Sequence, residues 1–130
     1  MLYREGGSVR IAVCDNHAAA AEQICTWVRQ YGSLYGLDIH EIRSFTDPEQ
    51  FNSWEDSFDI VFPGFGGSTG FHAIQQLRSR DRSCRVILMD DTMEYALRCK
   101  HLHCDNALLR PVEFRHIVQS MNLITEGRLI

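Results

Sequence analysis

Short apolar runs that end on polar residues alternate along this chain with stretches whose apolar residues recur at helical spacing. The first run, Val9-Arg10-Ile11-Ala12-Val13-Cys14, stops at Asp15-Asn16 and predicts a buried strand that ends at a polar loop. From His17 the chain becomes Ala-rich. Ala21, Ile24, Cys25 and Val28 then share one face of a predicted helix, which Gly32, Ser33 and Gly36 close. Leu37 to Phe45 predicts a second strand, with Ile39, Ile42 and Phe45 facing the interior. Thr46 or Asp47 can cap a short helix that carries Pro48 in its first turn and runs to about Trp54.

Phe58-Asp59-Ile60-Val61-Phe62 predicts a third strand, ended by Pro63, and the glycines from Gly64 to Gly70 predict a flexible loop. A third helix follows, with Phe71, Ile74 and Leu77 inward. Arg85 to Met89 is a fourth strand ending in Asp90-Asp91, and Met93 to about His101 a fourth helix. Ala107-Leu108-Leu109 makes a short fifth strand. Pro111 opens a last helix with the stripe Phe114, Ile117, Val118, Met121, Leu123 and Ile124. Five strands alternating with five helices predict an α/β fold: a doubly wound, five-stranded parallel sheet in a three-layer α/β/α arrangement. The series implies one domain over residues 9–126, with an N-terminal extension (1–8) and a C-terminal tail (127–130).

Composition narrows the class. With 130 residues, 45% hydrophobic and 23% charged, the chain is neither a disordered tail, a collagen-like repeat nor a coiled-coil rod. Its 13 basic against 17 acidic residues give a net charge of -4, so it lacks the basic balance that direct nucleic-acid binding requires. The five cysteines are an odd, scattered set among apolar neighbours, which reads as reduced thiols of a cytoplasmic protein. No apolar stretch reaches the ~20 residues of a membrane span, and Met1 to Ser8 has no apolar signal-peptide core.

In an open parallel sheet, function gathers beyond the carboxyl ends of the strands. Those ends carry Asp15-Asn16, Pro63-Gly64, Asp90-Asp91 and Arg110 before Pro111. The first strand with Asp15-Asn16, the run Phe58 to Phe62, the segment Gly70 to Arg78, and Leu108-Leu109-Arg110-Pro111 together resemble a bacterial response-regulator receiver domain of flavodoxin-like fold. Glu94-Tyr95-Ala96-Leu97 and the ungapped run onward to Pro111 are most similar to receivers of the LytTR class. The resemblance extends from about Val9 to Thr125. It implies two acidic residues after the first strand holding Mg²⁺ and a phosphoacceptor Asp ending the third. It also implies a Ser or Thr after the fourth strand and a Lys before Pro after the fifth, both binding phosphoryl oxygens. A carboxylate nucleophile needs a hard cation to offset charge, and its product needs hydroxyl and ammonium donors.

Residue by residue, this chain departs from that pattern. The acidic pair has become Asp15-Asn16, and the acceptor position falls at Pro63 or Gly64, neither of which can be phosphorylated. The hydroxyl position holds Asp90, the Lys position Arg110, and the aromatic switch position Ala107. The acceptor loop is shorter and lacks the family's Met-Pro pair. These losses together imply a pseudo-receiver that is not phosphorylated and catalyses nothing. Arg110 offers a planar, permanently charged fork, expected to pair with Asp90, Asp15 or both and lock the pocket without a ligand. No cofactor is expected, and Asp15 is left as at most a weak Mg²⁺ ligand.

Other features have plainer readings. Gly66, Gly67, Ser68 and Thr69, within Gly64–Gly70, could present backbone N–H groups to an anion, which defines the alternative of a flavodoxin-like small-molecule or phosphate binder. The spacing matches no dinucleotide or P-loop fingerprint, and no Lys follows. Cys99-Lys100-His101-Leu102-His103-Cys104 has zinc-type ligands but no finger spacing, so small buried thiols explain it. His17, His40, His72 and His116 stand apart from any nucleophile, and Trp27 and Trp54 read as core or face residues. The expected partners are proteins: a second copy through the fourth helix, fifth strand and fifth helix, with a sensor kinase or an output domain. That face presents Glu94, Arg98, Lys100, His101, Arg115, His116 and Gln119.

Overall fold

The computed structural model describes residues 8–129, with side chains through Thr125. Ten elements alternate along it. They are β1 (Ser8–Asp15), α1 (Ala18–Tyr35), β2 (Asp38–Phe45), α2 (Pro48–Asn52), β3 (Ile60–Gly64), α3 (Gly67–Arg80), β4 (Arg85–Asp90), α4 (Ala96–Lys100), β5 (Asn106–Leu109) and α5 (Phe114–Leu129). The strands form one sheet in the order β2-β1-β3-β4-β5, and every pairing is parallel. This is the predicted three-layer α/β architecture. The strand order reverses direction beside β1, which opens a crevice at the carboxyl ends of β1 and β3.

Strand side chains alternate between two cores, as period-2 geometry requires. Val9, Ile11, Val13, Ile60, Phe62, Ile87 and Met89 pack with α1 and α5. Ala12, Cys14, Val61, Val86 and Leu88 pack on the other face with Phe51, Ile74, Leu77 and Cys99 from α2, α3 and α4. Because both faces are covered, the central strands are apolar at nearly every position, and this is what made β1 and β4 legible.

Several boundaries differ from expectation. Pro63 does not end β3: the strand runs through Gly64, with Pro63 opposite Cys14 and Gly64 opposite Asp15. The β3–β4 ladder is confined to Ile60 and Val61, so the missing N–H of Pro63 falls beyond it. Phe58 is buried but precedes the strand. Gly32 lies buried inside α1, and the helix is closed by Gly36 in the left-handed conformation at φ 72°. Asp47 caps α2 by accepting the Glu49 N–H at 3.1 Å, and the helix stops at Asn52. The fourth helix is only Ala96–Lys100. Cys99 is its one buried residue, which gives the segment from Met93 little to pack. Pro111 lies before α5 rather than in it. The Arg110–Pro111 peptide is cis, and the helix begins at Phe114. Leu123 points to solvent at 61% exposure, while Ile117, Met121 and Ile124 are buried, Val118 packs half-buried against them and Phe114 meets Trp27. Ser8 already belongs to β1, α5 continues through Leu129, and residues 1–7 and 130 of the expected extension and tail lie outside the described residues.

Candidate functional site

The carboxyl ends of β1, β3 and β4 meet where the sheet reverses order, and the segment after β5 reaches over them. Asp15 is the last residue of β1 and is 4% exposed. One carboxylate oxygen, Oδ1, accepts the backbone N–H of His17 at 2.9 Å and lies 3.5 Å from its Nδ1. The other, Oδ2, accepts Arg110 Nη2 at 3.1 Å. The same Nη2 donates to the Gly64 carbonyl, while Nη1 reaches Asp91 Oδ1 at 3.4 Å. The root of this side chain is fixed by its own backbone, since the Arg110 N–H donates to the Asp90 carbonyl at 2.8 Å. One guanidinium therefore ties together the ends of β1, β3 and β4, using the fork geometry that distinguishes Arg from Lys.

Asp90 does something else. Its side chain, 4% exposed, makes no bond to Arg110 among those observed; it accepts the Asp91 N–H at 2.7 Å and the Gly67 N–H at 3.2–3.3 Å. Gly67 is the first residue of α3, and the preceding Gly66, at φ 87°, has no side chain with which to cap it. Asp90 thus caps α3 from a neighbouring strand, placing a carboxylate where orphan N–H groups and the helix dipole favour negative charge. Of the two expected partners Arg110 pairs with Asp15 and not with the Asp90 side chain, and Asp91 is a further partner. The glycines that mask the α3 N-terminus as open loop in the sequence also mask its demand for an anion, and this is what draws Asp90 away from Arg110.

The glycine-rich loop is correspondingly small. β3 keeps Gly64 and α3 takes Gly67, Ser68, Thr69 and Gly70, so only Phe65 and Gly66 connect them. Phe65 is itself buried, and its carbonyl accepts Asn16 Nδ2 at 2.8 Å. The N–H of Gly67 that an anion would need is already taken by Asp90. Gly64 leaves no room for a side chain. A Cβ there would lie 2.5 Å from the Cys14 carbonyl oxygen and 2.8 Å from both Arg110 Nη2 and Met89 Cε.

The Mg²⁺ implied by the receiver resemblance does not fit these residues. Both Asp15 oxygens accept N–H donors, Asn16 turns its amide nitrogen to Phe65, and the Gly64 carbonyl is held by Arg110. A hard cation needs several free oxygens, and here a guanidinium stands against the one carboxylate of the first strand. Among the described residues no three His, Cys, Asp or Glu side chains are grouped as a metal site.

A second surface lies along α4 and β5. Met93, Leu97 and Leu109 are 50%, 70% and 49% exposed. A groove of about 440 Å³ runs between Met93, Ala96, Leu97, Lys100, Cys104 and Ala107. Ala107, half-buried on β5, presents only a methyl group to this groove. No helix among the described residues is long and apolar enough to cross a membrane.

No protein-family model and no curated protein matches the sequence. Solved structures do resemble it. The response regulator DrrB of Thermotoga maritima, an OmpR/PhoB homologue, aligns over 93% of this chain at TM-score 0.71 and 18% identity; this chain spans 54% of it. A signal receiver domain of a two-component histidine kinase from Clostridium thermocellum aligns at TM-score 0.74 and 13% identity, over 90% of this chain and 98% of its own. The response regulatory domain of mrkE from Klebsiella pneumoniae aligns at 0.73 and 12% identity, over 93% and 99%. At such identities the likeness is one of architecture: this chain has the receiver-domain fold found in two-component response regulators.

Proposed function

We propose that this chain is a receiver-like regulatory module, most similar to the LytTR class, that works by protein contacts without phosphorylation and without catalysis. The observation that carries the reading is the Arg110 guanidinium joining Asp15, Gly64 and Asp91, with Asp90 on the N-terminus of α3. Where a receiver recruits a cation and a phosphoryl group to neutralise charge at these strand ends, this chain supplies a resident cation and a resident anion of its own. The pocket is a pseudo-site held in one state. In this reading the protein is cytoplasmic and regulates transcription through an output domain.

Incubation with acetyl phosphate and Mg²⁺, followed by intact mass measurement, tests the proposal. The expected result is an unchanged mass. A phosphoryl adduct mapping to Asp15, Asp90 or Asp91 would overturn it.

The α4–β5–α5 face is the proposed contact surface, with a second copy as partner and a sensor kinase or output domain as others. Exposed Met93 and Leu97 beside Glu94, Arg98 and Lys100 combine an apolar centre with charges of both signs, which suits a self-complementary interface. Sedimentation should show a dimer that Leu97→Asp dissociates; a monomer at all concentrations would refute this interface.

A further inference from the structure

Of the five cysteines, Cys14, Cys25 and Cys84 are isolated within the cores, and burial pushes all three thiols up, Cys25 to about 11 and Cys84 to about 12. Cys99 and Cys104 differ. The last turn of α4 closes with two reversed bonds: the Cys104 N–H donates to the Cys99 carbonyl at 3.2 Å and the His103 N–H to the Lys100 carbonyl at 3.0 Å. His103 between them is left-handed at φ 60°. This is the Schellman closure, in which the residues at its two ends bring their side chains together, usually as an apolar contact. Here both are cysteines. The closure sets the two side chains together on the edge of the core that α2, α3 and α4 cover.

The turn is held from outside as well. Arg78 of α3 donates to the Leu102 carbonyl at 2.7 Å and the His103 carbonyl at 3.0 Å. Asp105 accepts the Val86 N–H at 2.9 Å and donates its own N–H to the Val86 carbonyl at 2.8 Å. Cys104 is thereby fixed from both sides against a Cys99 that is fully buried. The two sulfurs are not equally accessible. Cys104 is partly exposed and lines the α4–β5 groove.

We propose that Cys99 and Cys104 form a reversible intramolecular disulfide, making this turn a peroxide-responsive modification site. One sulfur of the pair, reached through the groove that Cys104 lines, attacks the O–O bond of hydrogen peroxide, becomes a sulfenic acid and releases the first water. The other sulfur then attacks the sulfenic sulfur. An S–S bond forms and hydroxide leaves, taking the remaining thiol proton as the second water. The two thiols lose two electrons and the peroxide gains them; a dithiol reductant reverses the change. Their contact holds the Cys99 thiol below its ordinary value and, with burial, pushes the Cys104 thiol up, so Cys99 is the more readily ionised sulfur of the pair. In a reducing compartment such a bond is transient, the pattern expected of a sensor rather than a structural bridge. The inference stands apart from the reading of the Arg110 site.

Peptide mapping of the whole chain tests it. Dilute hydrogen peroxide should lower the intact mass by two hydrogens, and dithiothreitol should restore it. Trypsin separates the two residues at Lys100, so a non-reducing digest should join the dipeptide Cys99-Lys100 to the peptide spanning 101–115. Cys104→Ser should abolish the mass change and Cys25→Ser should leave it. Because the folded turn pre-positions the sulfurs, the link should form at least about tenfold faster in native protein than in urea. Oxidation of Cys104 to sulfinic acid with Cys99 still free, a dominant link between any other pair, or equal rates in buffer and urea would overturn the proposal.

Discussion

Removing the guanidinium of Arg110 should expose the structural cost of this site directly. Arg110→Met keeps most of the side-chain volume but leaves Asp15, 4% exposed, with the His17 backbone N–H as its remaining short hydrogen bond and the Gly64 carbonyl without its Arg110 donor. At 3.1 Å the gross attraction of the pair is roughly 5 kcal/mol for an effective dielectric of about 20. Desolvation of both charges opposes it, and the 24% exposure of Arg110 screens it further, which leaves about 2 kcal/mol net. The lost charge-assisted bond to Gly64 adds about 1 kcal/mol. The variant should therefore lose about 3 kcal/mol, a fall in melting temperature of roughly 10 °C for a domain of this size. A double-mutant cycle with Asp15→Asn, read from urea midpoints, should give a coupling of about 1–2 kcal/mol. Additivity within about 0.5 kcal/mol would refute the claim that Arg110 and Asp15 act as a unit.

Gly64→Ala should destabilise by about 1–3 kcal/mol in the same assay, because the new Cβ would meet the Cys14 carbonyl oxygen at 2.5 Å and one of the two strands must give way; a melt unchanged from the parent would contradict this packing. Tyr31→Phe removes a hydroxyl that donates to Asn122 Oδ1 at 2.7 Å and lies 3.1 Å from Thr125 Oγ1, so the α1–α5 contact should weaken by about 1 kcal/mol in chemical denaturation. Glu41 is held below its ordinary 4.5, first by the hydrogen bond from Arg10 and then by that from Arg43. A lowered folded value means stability that is fully present above the unfolded value of 4.5 and lost as pH falls through the folded value. Glu41→Gln should therefore flatten the acid side of a stability profile below about pH 4.5, and an unchanged profile would refute the assignment.

The fold was legible because burial on both faces of the sheet leaves its mark on the strands. Ile11 to Cys14 and Val86 to Met89 are apolar without interruption, and the α1 stripe Ala21, Ile24, Cys25 and Val28 repeats at helical spacing. Where the chain was misread, tertiary context had overruled a local signal. Pro63 looked like a strand end, yet the β4 ladder lapses before reaching it. Glycines from 64 to 70 looked like a flexible loop. Three of their functions are distinct: Gly64 admits Arg110 against the strand end, Gly66 turns the chain, and Gly67 opens a helix capped by Asp90. The charged site residues Asp15, Asp90 and Arg110 were visible as strand-end residues, but their partners were only half legible. Arg110 had two adjacent acidic residues to choose from at the end of β4, and the choice of Asp91 over the Asp90 side chain was decided by an N-terminus of α3 that no local pattern placed. Asn16 bonding to the Phe65 carbonyl was invisible for the same reason, since Phe65 reads as loop and is in fact buried.

The account's central claim is that resident side chains occupy the charge positions of the receiver-like pocket. Thermal melts of the whole chain with and without Mg²⁺ plus beryllofluoride, an acyl-phosphate mimic, test it most directly, because any ligand bound only by the folded state raises the melting temperature by mass action. The prediction is no shift at any concentration of the pair. A Mg²⁺-dependent rise that Asp15→Ala abolishes would contradict it, showing that Arg110 yields the pocket to a cation and a phosphoryl analogue.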